Sequence, residues 1–225
     1  MRKSGILMHI TSLPGPYGIG TIGKPARDFI DFLKDAGQSL WQILPLSPTG
    51  YRDSPYQSCS AYAGNHYLID LEELIDEDLL TRQEVSAVNW CRSEETVDYA
   101  LLYNNRLPVL KKAFSRFNNW NALDEFCQKN SDWLPDFALF MALKDENGSK
   151  PWYQWPEALK TRQPDAVWQA RRRLQDTIRF YSFVQYLFDK QWQALRAYCA
   201  DAGLPIINPT LIQKTVCATP VPTII

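Results

Sequence analysis

Two short apolar runs bracket a segment with helical spacing, and that arrangement most restricts what this chain can fold into. Gly5-Ile6-Leu7-Met8-His9-Ile10 is the first run and Leu40-Trp41-Gln42-Ile43-Leu44 the second. Both have strand length, and both give way to proline within a few residues. Between them, Pro25 suits a first helical turn, and Ala26, Phe29, Ile30 and Leu33 recur at helical spacing. Gly37 is placed as a C-cap. The two runs read as buried strands, and a strand–helix–strand unit of this kind builds a parallel sheet. Leu204-Pro205-Ile206-Ile207 begins a third buried strand far along the chain.

The chain between the second and third strands divides by pattern. A long loop, Pro48 to Asn65, follows the second strand, and Tyr67 to Leu71 has the character of a short extra strand. From Glu72 to Pro164 the spacing is helical with polar faces. Leu102, Tyr103, Leu107, Leu110, Phe114 and Phe117 form one helical series, in which Pro108 forces a kink or a start. Another helix is expected over Asp136 to Leu143, and Trp152, Trp155 and Pro156 mark a compact turn. A single long helix is then expected from Asp165 to Ala202. Ile178, Tyr181, Val184, Phe188, Trp192, Leu195 and Cys199 lie on its apolar stripe, and Gly203 is its cap. The organisation expected is therefore residues 1–71 as strand–helix–strand with its loop, 72–164 as a helical region, 165–207 as long helix and third strand, and 208–225 as a tail of different character.

Composition excludes several function classes. A net charge of −1 gives no electrostatic footprint for nucleic acid or an anionic membrane. The densest basic run, Arg171-Arg172-Arg173, reads as a solvated helix face. Five cysteines, none at metal-ligand spacing, read as reduced thiols of a cytoplasmic protein. With two histidines, His9 and His66, a histidine-based metal site is not expected. No apolar run approaches membrane-span length.

Two loop motifs bear on chemistry. Gly18-Ile19-Gly20-Thr21-Ile22-Gly23 has the G-x-G-x-x-G spacing of a dinucleotide-binding turn, which would make the chain a nucleotide-binding oxidoreductase. However, Thr11 to Tyr17 separate it from the strand, and Leu44-Pro45-Leu46 ends the second strand with no acid for a ribose. Glycines shaping a long loop are the simpler reading. The stretch from Tyr51 to Asn65 is too polar for core and too aromatic for a plain linker. Aromatic faces stack on sugar C–H faces, while hydroxyls, amides and a carboxylate bind sugar hydroxyls. A packed structural loop would have the same composition. Retaining glycosyl transfer needs two facing carboxyl groups. Asp53 is the one acid in the strand-end loops, so no complete catalytic set is expected in this chain.

Three ordered segments carry a family resemblance. Gly5 to Gly20, Leu40 to Tyr51, and Asp53 to Ser58 with Ser60 to Asn65 resemble the opening of glycoside hydrolase family 77, the 4-α-glucanotransferases or amylomaltases. Phe180 to Gly203 is similar to the long helix before that family's third strand. The resemblance implies an α/β chain forming the N-terminal part of a (β/α)8 TIM barrel with a helical insertion after the second strand. It also implies transfer of α-1,4-glucan segments between maltooligosaccharide or glucan acceptors, through a glucosyl-enzyme, with no metal or organic cofactor. It places Ser54 and Tyr56 at donor-side sugar sites, Tyr51 at a second glucan site, and Asp53 and Gln57 in the same loop. Past Ile207 the sequence runs Asn208-Pro209-Thr210-Leu211-Ile212, off the family's pattern. With three strands of the eight a barrel needs, the barrel is expected to be incomplete. The expectation is thus a chain truncated by a frameshift, an assembly error or a pseudogene-like event, inactive alone. The alternative is a non-catalytic α-glucan-binding protein. Oligomeric state is not legible.

Overall fold

The computed structural model describes residues 2–50, 53–93 and 95–207. The tail from 208 to 225, including Cys217, lies outside the described residues, as does Tyr51. The described chain is α/β, mostly helical around a small parallel sheet. It forms two compact units. One takes the described residues up to Phe117 and from Leu187 onward, and the other is Asn118–Tyr186.

In the first unit, strand β1 (Gly5–Leu7) leads to helix α1 (Lys24–Asp35) and strand β2 (Leu40–Gln42). Strand β3 (Ile206–Ile207) comes last, and the sheet order is β1-β2-β3, all parallel. Proline in the first turn starts α1, and Gly37 at φ 68 turns the chain off it. Ala26, Ile30 and Leu33 of α1 have no exposed surface, and the Phe29 ring meets Trp41 edge-on at 5.1 Å. Trp41 itself is fully buried and donates its indole N–H to the Met8 carbonyl at 2.8 Å.

The strands are less covered than their composition predicts. All of β1 is exposed, with Leu7 at 58%, and Ile207 of β3 is 39% exposed. Exposure falls on both rows of the sheet, with Ile6 beside Trp41 at 38%. Ile6, Trp41 and Ile206 form one row and Leu7, Gln42 and Ile207 the next, so the rows face opposite sides. The α1 helix packs on the Trp41 side, while Gln42 on the other side is exposed.

The expected strand over Tyr67 to Leu71 is instead a 3-10 turn, His66–Leu68, followed by helix α2 (Leu71–Asp76). Asn65 enforces the turn by accepting the Tyr67 N–H, and Asp70 caps α2 by accepting from Glu72 and Glu73 N–H. Helix α3 (Arg82–Ser86) starts at a capping box between Thr81 and Glu84. Helix α4 (Tyr99–Arg116) is capped by Asp98 and runs through Pro108. Within it Leu102 and Leu110 are buried, but Tyr103 is 61% exposed.

The second unit holds helices α5 (Trp120–Lys129), α6 (Leu134–Glu146), α7 (Glu157–Lys160) and α8 (Pro164–Arg173), then the first part of α9 (Gln175–Asp201). The long helix expected from Asp165 is therefore two helices, divided at Leu174. Leu139, Leu143, Trp155 and Ala170 form its core, with Phe140, Val167 and Leu174 packed on them. The arginine run is more than a solvated face. Arg171 pairs with Asp136, Arg173 with Glu146, and Arg172 lies over the Trp168 ring at 4.8 Å. In the first unit, the later residues of α9 expected on the stripe are buried at Phe188, Leu195 and Cys199, and Gly203 at φ 71 ends the helix.

Candidate functional site

The loop after β2 is a hairpin on a fixed base. The strand ends are tied first: Met8 N–H donates to Gln42 O at 3.0 Å, and Leu44 N–H donates to His9 Nδ1 at 3.3 Å. That second bond puts the histidine's proton on Nε2. Burial lowers its pKa to about 4, so the imidazole is neutral at physiological pH. Leu46 and Ser47 are buried, and Asn65 N–H donates to Leu46 O at 2.7 Å, closing the root of the loop.

Above that root, Thr49 and Ser58 form an antiparallel bridge, and Gly50 N–H donates to Gln57 O at 2.9 Å. Asp53 N–H reaches back to Gly50 O at 3.2 Å, and Gln57 N–H to Ser54 O at 3.0 Å. Asp53 takes a left-handed backbone, φ 53, which aspartate tolerates better than most residues. The Thr49 hydroxyl donates to the Asp53 carboxylate at 3.3 Å. These bonds bring Asp53, Ser54, Tyr56 and Gln57 to one tip, where Tyr56 is 65% exposed and Gln57 is exposed. Tyr51, the remaining expected contact, lies outside the described residues. On the return limb, Ser60 Oγ accepts the N–H groups of Tyr62 and Ala63, while the Tyr62 ring is 57% exposed.

Residues distant in sequence stand beside Asp53. Burial raises its carboxyl pKa, opposed by the Thr49 hydroxyl. Burial also raises the Tyr67 and Tyr99 phenols, and the Asp53 charge adds to both shifts. The Tyr67 and Tyr99 rings lie 6.3 Å apart, and Tyr99 shares a side-chain hydrogen bond with Thr11 from the loop after β1. Thr11, Tyr67 and Tyr99 therefore lie within electrostatic or hydrogen-bonding reach of this loop, with Tyr67 itself buried. Sequence reading missed Thr11, Tyr67 and Tyr99. For Tyr99 the available signal was the helix-capping Asp98 just before it, which opens α4 with an aromatic residue.

A buried arginine holds the turn that carries Tyr67. Arg106 of α4 has no exposed surface. Its Nη2 donates to Tyr67 O at 2.8 Å and to Ile69 O, and its Nε to His66 O at 3.4 Å. The guanidinium lies over the Trp90 ring at 5.6 Å. Burial lowers its pKa to about 10.

The glycine motif is filled by the chain itself. A Cβ on Gly20 would collide with the Ile10 and Leu13 backbone, and one on Gly23 with the Asp70 carboxylate. Asp70 in turn accepts from Thr21 Oγ1 at 2.5 Å, so a carboxylate occupies the start of α1 where a phosphate would sit. Among the described residues no group of three or more His, Cys, Asp or Glu is placed to hold a metal. No described helix is long and apolar enough to cross a membrane.

Comparison with known proteins adds identity to this geometry. Residues 8–212 match the sequence profile described as 4-alpha-glucanotransferase. The chain is 44% identical over 210 residues to the 4-alpha-glucanotransferase of Aquifex aeolicus, covering 92% of this chain and 42% of that protein. It is 45% identical over 213 residues to the enzyme of Thermus thermophilus, again with 92% and 42% coverage. The solved amylomaltase from Streptococcus agalactiae in complex with acarbose superposes with a TM-score of 0.90 at 43% identity, covering 92% of this chain and 43% of that one. The chain thus spans about two fifths of the length of these relatives.

Proposed function

This chain belongs to the 4-alpha-glucanotransferase family, and on that premise we propose that it supplies donor-side glucan contacts for α-1,4-glucan transfer. The ligands are α-1,4-glucans and maltooligosaccharides. The observation that carries this reading is the Thr49–Ser58 hairpin, which holds the Ser54 hydroxyl, the exposed Tyr56 ring and the Gln57 amide at one tip beside Asp53. An aromatic face with hydroxyl and amide groups around it matches a sugar ring's own division into apolar C–H faces and polar edges. Tyr56 stacks on a glucose unit, while Ser54 and Gln57 bond its hydroxyls. Asp53 shapes the turn that presents them, and Tyr51 belongs to a second glucan site. The three parallel strands are consecutive strands of a (β/α)8 barrel, whose strand-end loops are where such enzymes bind substrate.

Retaining transfer uses two carboxyl groups about 5–5.5 Å apart. The hairpin carries one, Asp53, and this is bonded to Thr49. We therefore assign these residues to binding, and the bond-breaking carboxylates to parts of the enzyme that this chain does not match. The hairpin by itself lacks the second carboxyl group that retaining transfer needs.

Calorimetric titration of the full chain with maltoheptaose tests the reading. Binding is expected, weakened by Tyr56→Ala and Ser54→Ala, with no response to NAD(H). A folded chain that binds no maltoheptaose overturns the glucan assignment. Release of glucose from maltotriose by the chain alone overturns the division between binding and chemistry.

A further inference from the structure

The second unit presents two large aromatic side chains on a fixed base. The base is the 3-10 turn Trp152–Gln154, set between Pro151 and Pro156. Gln154 N–H donates to Pro151 O at 2.9 Å, and Trp155 N–H to Trp152 O at 3.1 Å. Trp155 is the anchor. Its indole N–H donates to Lys150 O at 3.0 Å, its ring meets Phe140 at 5.5 Å, and it is buried in the core with Leu139, Leu143 and Ala170. The proline at either end fixes its own φ. By contrast, Trp152 is 39% exposed and Tyr153 60%, and Gln154 beside them is exposed. Every one of these anchoring contacts lies within Asn118–Tyr186. Aromatic rings held at the surface by a turn that is already rigid can bind without first ordering the backbone, which lowers the cost of contact.

The mutual geometry of the two rings selects the ligand. Their centroids are 6.2 Å apart and their planes meet at 79°, edge to face. That contact takes one face of one ring and an edge of the other, so each ring keeps a face on which a sugar's C–H surface can stack. Rings nearly at right angles cannot both lie flat on a straight chain, whose successive sugar faces are parallel. They can on a chain that bends from one sugar to the next. A β-1,4 linkage is equatorial at both ends and keeps a glucan straight, whereas an α-1,4 linkage leaves C1 axially and bends it. The Tyr153 hydroxyl and the Gln154 amide offer hydrogen bonds to the sugar's polar edge. We propose that Trp152 and Tyr153 form a second α-glucan-binding surface, built from residues of the second unit alone. The inference rests on the proposed function for its ligand class.

Native electrophoresis of the full 225-residue chain through gels containing soluble amylose tests it. The chain is expected to be retarded, and gels containing hydroxyethylcellulose, a straight β-1,4-glucan, leave its mobility unchanged. Trp152→Ala and Tyr153→Ala each raise the apparent Kd for amylose roughly fivefold, the loss of one stacked ring. Trp168→Ala removes another exposed ring, already stacked by Arg172 at 4.8 Å, and leaves the Kd unchanged. Tyr56→Ala keeps the retardation that the turn supplies, and adding Trp152→Ala to it abolishes the rest. Circular dichroism establishes that each variant is folded, and Tyr153→Ala carries the test if Trp152→Ala is not.

A chain that amylose does not retard overturns the inference, as do folded turn variants retarded as strongly as wild type. An equal loss with Trp168→Ala also overturns it, since any exposed ring would then serve. So does equal retardation by the β-linked polymer, or a homodimer of this chain that Tyr153→Ala dissociates. Retardation abolished by Tyr56→Ala alone and untouched by both turn variants sinks this inference and leaves the hairpin reading intact. Retardation lost with the turn variants and untouched by Tyr56→Ala does the reverse.

Discussion

The side-chain amide of Gln191 grips the backbone of Asp70 at both ends. Asp70 N–H donates to Gln191 Oε1 at 2.7 Å, and Gln191 Nε2 donates to Asp70 O at 3.0 Å. Both residues are buried, 2% and 4% exposed. One amide from α9 therefore satisfies both backbone groups of the residue that caps α2 and receives the Thr21 hydroxyl.

Removing that grip is costly because it strands a buried N–H and a buried carbonyl. Gln191→Ala is expected to destabilise the chain by about 2–4 kcal/mol, read from the shift in urea midpoint. Gln191→Glu keeps the acceptor and loses the donor, so it falls between wild type and alanine only if the carboxyl protonates; at neutral pH it is at least as damaging. A midpoint unmoved by either change would show that the grip is dispensable.

His9 makes stability depend on pH. In the unfolded chain its imidazole takes a proton near 6.5, but in the folded chain only near 4. Between those values the unfolded state binds more protons, so stability rises with pH and is lost as pH falls from about 6.5 toward 4. The effect is at most about 3.5 kcal/mol. Denaturant midpoints across that window should slope for wild type and flatten for His9→Asn. Glu84, held down to about 2 chiefly by Arg116, acts lower: its contribution is lost as pH falls from about 4.5 toward 2. A level wild-type profile between pH 7 and 4.5 contradicts a half-buried neutral imidazole.

Arg106 serves three carbonyls at once, and no other side chain reproduces that fork. Arg106→Met leaves the carbonyls of His66, Tyr67 and Ile69 without this donor, at an expected cost of about 1–3 kcal/mol. Arg106→Lys recovers less than half of it, because one ammonium cannot span the same three oxygens. Thermal unfolding measures both, and equal stability of the lysine and arginine forms would refute the fork.

Local signals made the framework legible. Gly37 and Gly203 turn the chain off α1 and α9 with positive φ, as their places after apolar stripes predict. Ala26, Ile30 and Leu33 announce the buried face of α1. Misreadings came where the outcome depends on what covers a residue. Leu7 is apolar in an apolar run, but nothing in the run says that it is left 58% exposed. Tyr67 looks like strand until the Asn65 side chain takes its N–H and winds the chain into a turn. Asp53, Ser54, Tyr56 and Gln57 were singled out by their resemblance to a family motif, and the folded chain brings them to one tip because they are contiguous. Thr11 and Tyr99 were not, because only the folded chain brings the loop after β1 and the start of α4 to Asp53.

Asp53 can be tested for what it does in that cluster. Its backbone is left-handed, and its carboxylate accepts from Thr49. Asparagine tolerates the same backbone and keeps an acceptor, whereas alanine pays about 1 kcal/mol for the conformation and loses the bond as well. If Asp53 acts by shaping the turn, Asp53→Asn retains maltoheptaose affinity within about threefold and Asp53→Ala loses about tenfold, in proportion to the lost turn energy. If the carboxylate itself holds the sugar, the two variants fall together. Titration calorimetry on the pair separates the outcomes, and equal loss would move Asp53 from positioning the tip to binding the glucan.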